Sequence, residues 1–392
     1  MHIRPRPWLM LAAMVLAQAS TTVVAATPAF LIPHLHTELG FDLVSAGLIA
    51  GAPNLGLVLT LVLWGAATDR WGERRVVILG LAATTAAVGL SALATGTLAL
   101  TLALVLSGAM SACTNSASGR LIAGWFPAER RGFAMGIRQT CQPIGIAAAS
   151  LTVPALATGG GVGAALLFGG ALTLLSLAVC LFVVVDPDRA PCSANAETPN
   201  PYRDSAVLQR IHLASVLLVI PQFALSTFGL VWFTLGFGWS ALAAGAVVAV
   251  AQLIGAVGRI AVGLWSDRVL SRLRPLRQVA LAGVVAMLVT AAFGLLDWAW
   301  PAAVAFVIAS CISVADNGLA FTAVAERAGA RWSGRALGIQ NTGQFLAAAA
   351  VGPVIGGLIS LVGIPAAFAV VALAPALAAP IVPGARAERP LS

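Results

Sequence analysis

Residues Gly65 to Arg75 read GAATDRWGERR, two acids and three arginines crowded between two long apolar stretches, 43–66 and 76–95. A bilayer core of about 30 Å needs roughly 20 helical residues per crossing, and each flanking stretch reaches that length. The charged segment therefore reads as a turn joining two membrane-spanning helices. Outward in both directions, the same alternation predicts spans at 8–32, 43–66, 76–95, 98–122, 133–157, 162–185, 211–235, 241–265, 278–297, 300–323, 334–359 and 363–382. Of the 392 residues, 59% are hydrophobic and only 9% are Asp, Glu, Lys or Arg, against roughly a quarter charged in a soluble chain. The expected fold is all-α, with twelve transmembrane helices in two pseudo-symmetric six-helix bundles.

Arginine placement orients these spans. Arg4, Arg6, Arg70, Arg74, Arg75, Arg130, Arg131, Arg189, Arg203, Arg210, Arg268, Arg272, Arg274, Arg277, Arg327, Arg331, Arg386 and Arg389 all fall on one side, and Arg335 begins the eleventh span on that side. The opposite side offers Glu38, Asp42 and Asp297. By the positive-inside rule both termini lie in the cytoplasm and the protein sits in the inner membrane. The net charge of +8 is spread over connectors with no patch of interleaved aromatics, so no nucleic-acid partner is expected. The apolar N-terminus runs past the length of a signal-peptide core and reads as a retained first span. The Pro-rich connector 186–210 reads as a cytoplasmic linker between bundles 1–185 and 211–392. The cysteines lack metal-ligand spacing, and His34 and His36 beside Glu38 have no further ligand in view, so neither a metal nor a cofactor is expected.

The opening segment recurs. Gly65-Ala66-Ala67-Thr68-Asp69-Arg70 returns as Gly263-Leu264-Trp265-Ser266-Asp267-Arg268, an offset of 198 positions, which also aligns Asn54 with Gln252. Gly132 to Ile137 returns at Gly334 to Ile339, an offset of 202, which aligns Asn115 with Asn317 and Gln142 with Gln344. Two parallel six-span repeats are one of the plans on which transporters are built.

Gly65, Asp69, Arg70, Gly72, Arg74 and Arg75 resemble the cytoplasmic loop signature of the major facilitator superfamily, between its second and third spans. Gly263, Asp267 and Arg268 look like its weaker second copy, which lacks the following glycine. The stretch Gly124–Pro127 through Glu129–Gly132 is similar to the loop after the fourth span in many bacterial members. The resemblance implies a clamp at Asp69 and Asp267 that breaks when the protein opens inward. On the residues alone, Gly65 permits close helix approach, and Asp69 can pair with arginine or meet a helix amino terminus. A charged turn that only sets topology is the plainer alternative.

Polar residues inside spans are costly and usually functional. Arg259 lies about two helical turns inside the membrane boundary; its repeat counterpart is Leu61. Gly258-Arg259 with Gly263 resembles the eighth span of organic-anion members, where the arginine holds a substrate carboxylate. Snorkelling to the interface is the alternative. Asp316 is the acid expected to carry a proton, or else to pair with Arg259 as a structural lock. Arg138, Gln139 and Gln142 in the fifth span, with Asn341 and Gln344 in the eleventh, suggest two polar walls or interhelical glue. Asn54, Asn115, Asn317, Gln18 and Gln222 join the substrate-binding candidates, and Arg120 is an interface anchor or a cavity residue.

The resulting expectation is a secondary transporter, working as a monomer by alternating access, coupled to protons and moving a small organic anion. Export of amphipathic compounds is the alternative. An embedded enzyme would need a grouped catalytic set, and HExxH, GxSxG and P-loop patterns are missing. A non-transporting receptor or scaffold would call for a large extramembrane domain.

Overall fold

The computed structural model describes residues 7–37, 40, 43–187 and 200–384. Arg4, Arg6, Glu38, Asp42, Arg189, Cys192, Arg386, Arg389 and most of the central connector lie outside the described residues. Within them every regular element is helical: α1 (Pro7–Phe30), α2 (Ile32–Thr37), α3 (Leu43–Trp71), α4 (Glu73–Leu93), α5 (Thr97–Ser111), α6 (Cys113–Trp125), α7 (Ala128–Arg138) and α8 (Cys141–Val183). There follow α9 (Pro201–Asp204), α10 (Val207–Val231), α11 (Ala241–Val269), α12 (Leu273–Leu295), α13 (Ala299–Ala328), α14 (Ser333–Val362), α15 (Ile364–Val371) and α16 (Leu373–Ile381). A helix closes its backbone hydrogen bonds within itself, which is why it is the economical way to carry this chain through lipid.

Eleven helical stretches among the described residues are long and apolar enough to cross a bilayer. One of them, Ala128–Val183, has 56 residues, about 84 Å of helix at about 1.5 Å per residue. Gly161 breaks it at φ 74°, between the spans expected at 133–157 and 162–185. That stretch holds two crossings, which makes twelve among the described residues.

Several helices run further than their apolar cores. α3 continues to Trp71 rather than 66, α11 to Val269 rather than 265, and α13 to Ala328 rather than 323. The charged segment at 65–75 is thus mostly helix. Gly72 alone separates α3 from α4, at φ 85° and ψ 168°, a backbone region open essentially to glycine alone. Its repeat counterpart, Leu270, also has a positive φ, 49°, but with ψ 38° lies in the left-handed helical region.

The described chain forms two compact units. The first takes residues up to 126, 140–197 and 329–342; the second takes 127–139, 198–328 and 343 onward. All of α7 and the first turns of α14 therefore cluster with the other repeat's helices rather than their own.

The first unit buries Met14, Val77, Leu81, Cys113 and Leu121 in one core, and Val24, Leu104 and Val153 in another. The second is built on aromatics. α10 widens into a π-helix at Trp232–Gly236 that turns Trp232 and Phe233 inward. Trp232 meets Phe368 edge-on at 5.2 Å between centroids, and Phe233 meets Phe306 at the same distance. Gly229 makes room for this cluster, since a Cβ there would overlap the Phe306 ring.

Candidate functional site

The first unit contains a buried charged clamp at the end of α3. Asp69 Oδ1 accepts the Gly334 N–H at 2.8 Å, and Oδ2 accepts the Arg335 N–H at 2.9 Å. These donors open α14, where the first N–H groups have no partner inside the helix and the helix dipole favours a carboxylate. Arg120 closes the arrangement. Its guanidinium lies 3.2 Å from Asp69 and 3.0 Å from Glu73, and it also donates to the carbonyls of Thr68 and Ala330. Glu73 is fully buried. Arg335 adds a longer contact to Asp69 at 3.9 Å.

The second unit repeats this construction. Asp267 accepts the N–H groups of Gly132 and Phe133 at 2.9 and 2.8 Å. Arg272 donates to Asp267 at 2.6 Å, to Ser266 at 2.8 Å and to the Ala128 carbonyl. Ala128 and Ala330 are repeat counterparts, so each cation holds the same carbonyl. The cations themselves are not counterparts: Arg120 aligns with Thr322, and Arg272 aligns with Arg74. Repeat logic alone therefore missed both arginines and the buried Glu73. Burial works against the charge of Arg272, but Glu326 and Asp267 outweigh it and hold its pKa above the ordinary arginine value.

Other signature residues have lesser parts. Arg74 donates its backbone N–H to Asp186 at 2.7 Å and its side chain to the Leu181 carbonyl at 2.9 Å. Arg70, Arg75 and Arg268 are exposed.

Glycines let the clamped helices approach. A Cβ on Gly65 would overlap the Gly334 backbone, and one on Gly263 would overlap Gly132. One turn further on, Gly338 abuts the Leu61 carbonyl and Gly136 abuts that of Arg259. Each pair of glycines, 132 with 136 and 334 with 338, forms a small-residue stripe of the kind that joins membrane helices.

The polar residues of the spans form two matched amide pairs. Gln18 of α1 donates to Asn115 of α6 at 3.0 Å, and Ser118 donates to Gln18 at 2.9 Å. In the second unit Asn317 of α13 donates to Gln222 of α10 at 2.9 Å. Gln344 then donates to Asn317 at 3.0 Å and to Ser215 at 2.8 Å. Ser118 and Ser215 went unnoticed in the sequence, where a serine in a small-residue run carries no signal. Asn341 donates back to its own helix at Leu337, Gln142 is half-buried, and Asn54 is exposed.

Arg138, Gln139 and Arg259 meet in the second unit. Arg138 is 1% exposed, donates to the Gln139 side chain at 2.9 Å and lies over the Phe321 ring at 5.3 Å. Arg259 is 5% exposed and reaches the Gln139 carbonyl at 3.5 Å. Asp316 is buried, yet neither carboxylate oxygen has a hydrogen-bond partner. No hydrogen bond joins Asp316 to Arg259. Asp316 lines a small cavity together with Ser313 of the same helix, and Cys311 meets the Ile254 carbonyl of α11.

Twelve membrane crossings in two helical units, with a charged clamp built twice and polar groups held inside the spans, define a helical transport protein rather than an enzyme. The chain matches the Major Facilitator Superfamily profile over residues 10–351, and it belongs to that family. It is 45% identical over 357 residues to an uncharacterized MFS-type transporter, Rv2994, of Mycobacterium tuberculosis strain ATCC 25618 / H37Rv, covering 91% of this chain and 80% of that protein. Its fold is similar to the crystal structure of the transporter FucP in the outward conformation, with TM-score 0.77 and 15% identity over 98% of this chain and 100% of that one. It is also similar to the proton:xylose symporter XylE bound to 6-bromo-6-deoxy-D-glucose, with TM-score 0.76 and 15% identity over 95% and 94% of the two chains. The protein is a multi-pass membrane transporter.

Proposed function

We propose that this transporter moves a small organic anion across the inner membrane by alternating access, coupled to protons. The observation that carries the anion is the meeting of two buried guanidinium groups, Arg138 and Arg259, at Gln139. Guanidinium groups offer paired donors matched to a carboxylate, and the nearby amides supply orientation. Asp316 is the proton carrier in this reading, because a carboxylate left without hydrogen bonds in the membrane interior is most easily held as the neutral acid. XylE is a proton symporter, which makes proton coupling a natural companion of the fold.

In the proposed cycle, halves 1–185 and 211–392, joined by the cytoplasmic linker 186–210, move as a monomer within the lipid. Both termini are cytoplasmic. Asp69 and Asp267 hold the starts of α14 and α7 in one state, and turnover requires both clamps to open.

The test is uptake into vesicles carrying the protein, with a panel of labelled carboxylates and cationic dyes. Arg259→Ala abolishes carboxylate uptake and Arg259→Lys retains part of it, because the charge remains while the paired donors are lost. Carboxylate uptake unchanged in Arg259→Ala overturns the anion assignment. Dye movement without carboxylate movement turns the assignment to export of amphipathic compounds.

A further inference from the structure

Asp316 lines a cavity whose wall includes neither Arg138 nor Arg259. Ala309, Ile312, Ser313 and Asp316 recur at helical spacing and line one cavity, as residues three and four apart on a helix do. The opposite wall is Leu218 of α10, Gly283 and Met287 of α12, and Pro375 of α16. All four helices belong to the second unit, and the cavity is about the size of one water molecule.

The chemistry of the wall restricts its occupant. Asp316 contributes two oxygens that have no hydrogen-bond partner. The only hydroxyl on the wall, Ser313, already donates to the Ser310 carbonyl at 2.9 Å. A hard metal cation needs about six oxygen ligands, far more than one carboxylate and one engaged hydroxyl supply. An anion is repelled by the carboxylate, and the remaining wall is apolar. A proton needs only one oxygen.

No charged residue of α10, α12 or α16 lines the cavity. From α11, Arg259 acts on Asp316 through its field. From α7, Arg138 is turned onto the Phe321 ring.

Building on the reading of Asp316 as proton carrier, we infer that its proton enters and leaves through this cavity inside the second unit, bypassing the substrate-binding arginines. A hydronium ion reaching the cavity gives its proton to an Asp316 oxygen and leaves as water; the reverse step releases the proton. The proton and substrate routes then meet only through α13 and the field of Arg259. Blocking one leaves the other open.

The experiment follows the carboxylic acid carbonyl band of Asp316 by time-resolved infrared difference spectroscopy after a rapid pH drop, using the full-length protein in lipid. Asp316→Asn identifies the band by its loss. Gly283→Val narrows the cavity from α12, and the glycine tolerates a first carbon, whose nearest neighbour is Pro375 at 3.5 Å. Ala309→Val narrows it from α13 independently. The expected result is an acid band that forms at least about tenfold more slowly in both narrowed variants, while labelled-carboxylate binding at fixed pH is unchanged. Wild-type rates in either variant that remains folded by size-exclusion profile and melting temperature overturn the route. A wild-type protein with no Asp316 band overturns the route and the proton-carrier reading together. A band that forms at wild-type speed, alongside transport that loses its pH dependence in Asp316→Asn, overturns the route alone.

Discussion

Arg120 is the residue on which most of the first clamp depends. Its guanidinium is in contact with two buried acids, Asp69 and Glu73, so truncation leaves carboxylates in a low-dielectric site without their cation. Removing one partner of a buried ion pair costs about 3–5 kcal/mol. Arg120→Ala is expected to lower the melting temperature in detergent by far more than Arg75→Ala, whose side chain is exposed. Equal shifts would deny the clamp its structural weight. Gly72 gives a smaller and cleaner effect. At φ 85° and ψ 168° a side chain is strained, and its Cβ would lie 2.7 Å from the Asp186 carboxylate, so Gly72→Ala is expected to cost about 1–3 kcal/mol. Leu270→Gly, at the left-handed helical position in the second repeat, is expected not to destabilise, as read by the same melting curve.

At the scale of elements, the glycine stripes decide whether α7 and α14 can seat. Gly338→Leu and Gly136→Leu each place a branched side chain against the backbone of a facing helix. Each is expected to yield protein that elutes as aggregate or melts at a markedly lower temperature, whereas Gly352→Leu, with open space around its Cα, is expected to behave as wild type. Much of this level was legible in the sequence. Apolar length marked the spans, and the recurring glycines and aspartates marked the repeat and its clamp positions. The helix ends were less legible, because hydropathy registers the hydrocarbon core and not the extra turn that carries Asp69 or Asp267. The cations were hidden for another reason. Arg120 and Arg272 reach equivalent carbonyls from positions that the repeat does not align, and only three-dimensional structure brings them there. The amide pairs were half visible: Asn115 and Asn317 aligned, but their partners on α1 and α10 follow a different offset. Asp316 was picked out as a buried acid, while the cavity it lines depends on how α13 is rotated among its neighbours.

At the scale of the whole molecule, the family and the twelve crossings identify a transporter, and the proposed anion preference rests on the buried arginines of the second unit. The clamps predict a kinetic signature: Asp69→Asn keeps the shape of the side chain but loses its charge, and is expected to insert normally and turn over several-fold more slowly. An unchanged turnover rate would remove the clamp from the cycle. The most direct measurement is accumulation of a labelled carboxylate in proteoliposomes under an imposed pH gradient, with the membrane potential held at zero. Coupled transport of an anion predicts that a carboxylate accumulates above its equilibrium level when the gradient is applied, and that Asp316→Asn permits only equilibration. Carboxylate movement that never exceeds equilibrium and ignores the gradient would contradict the account.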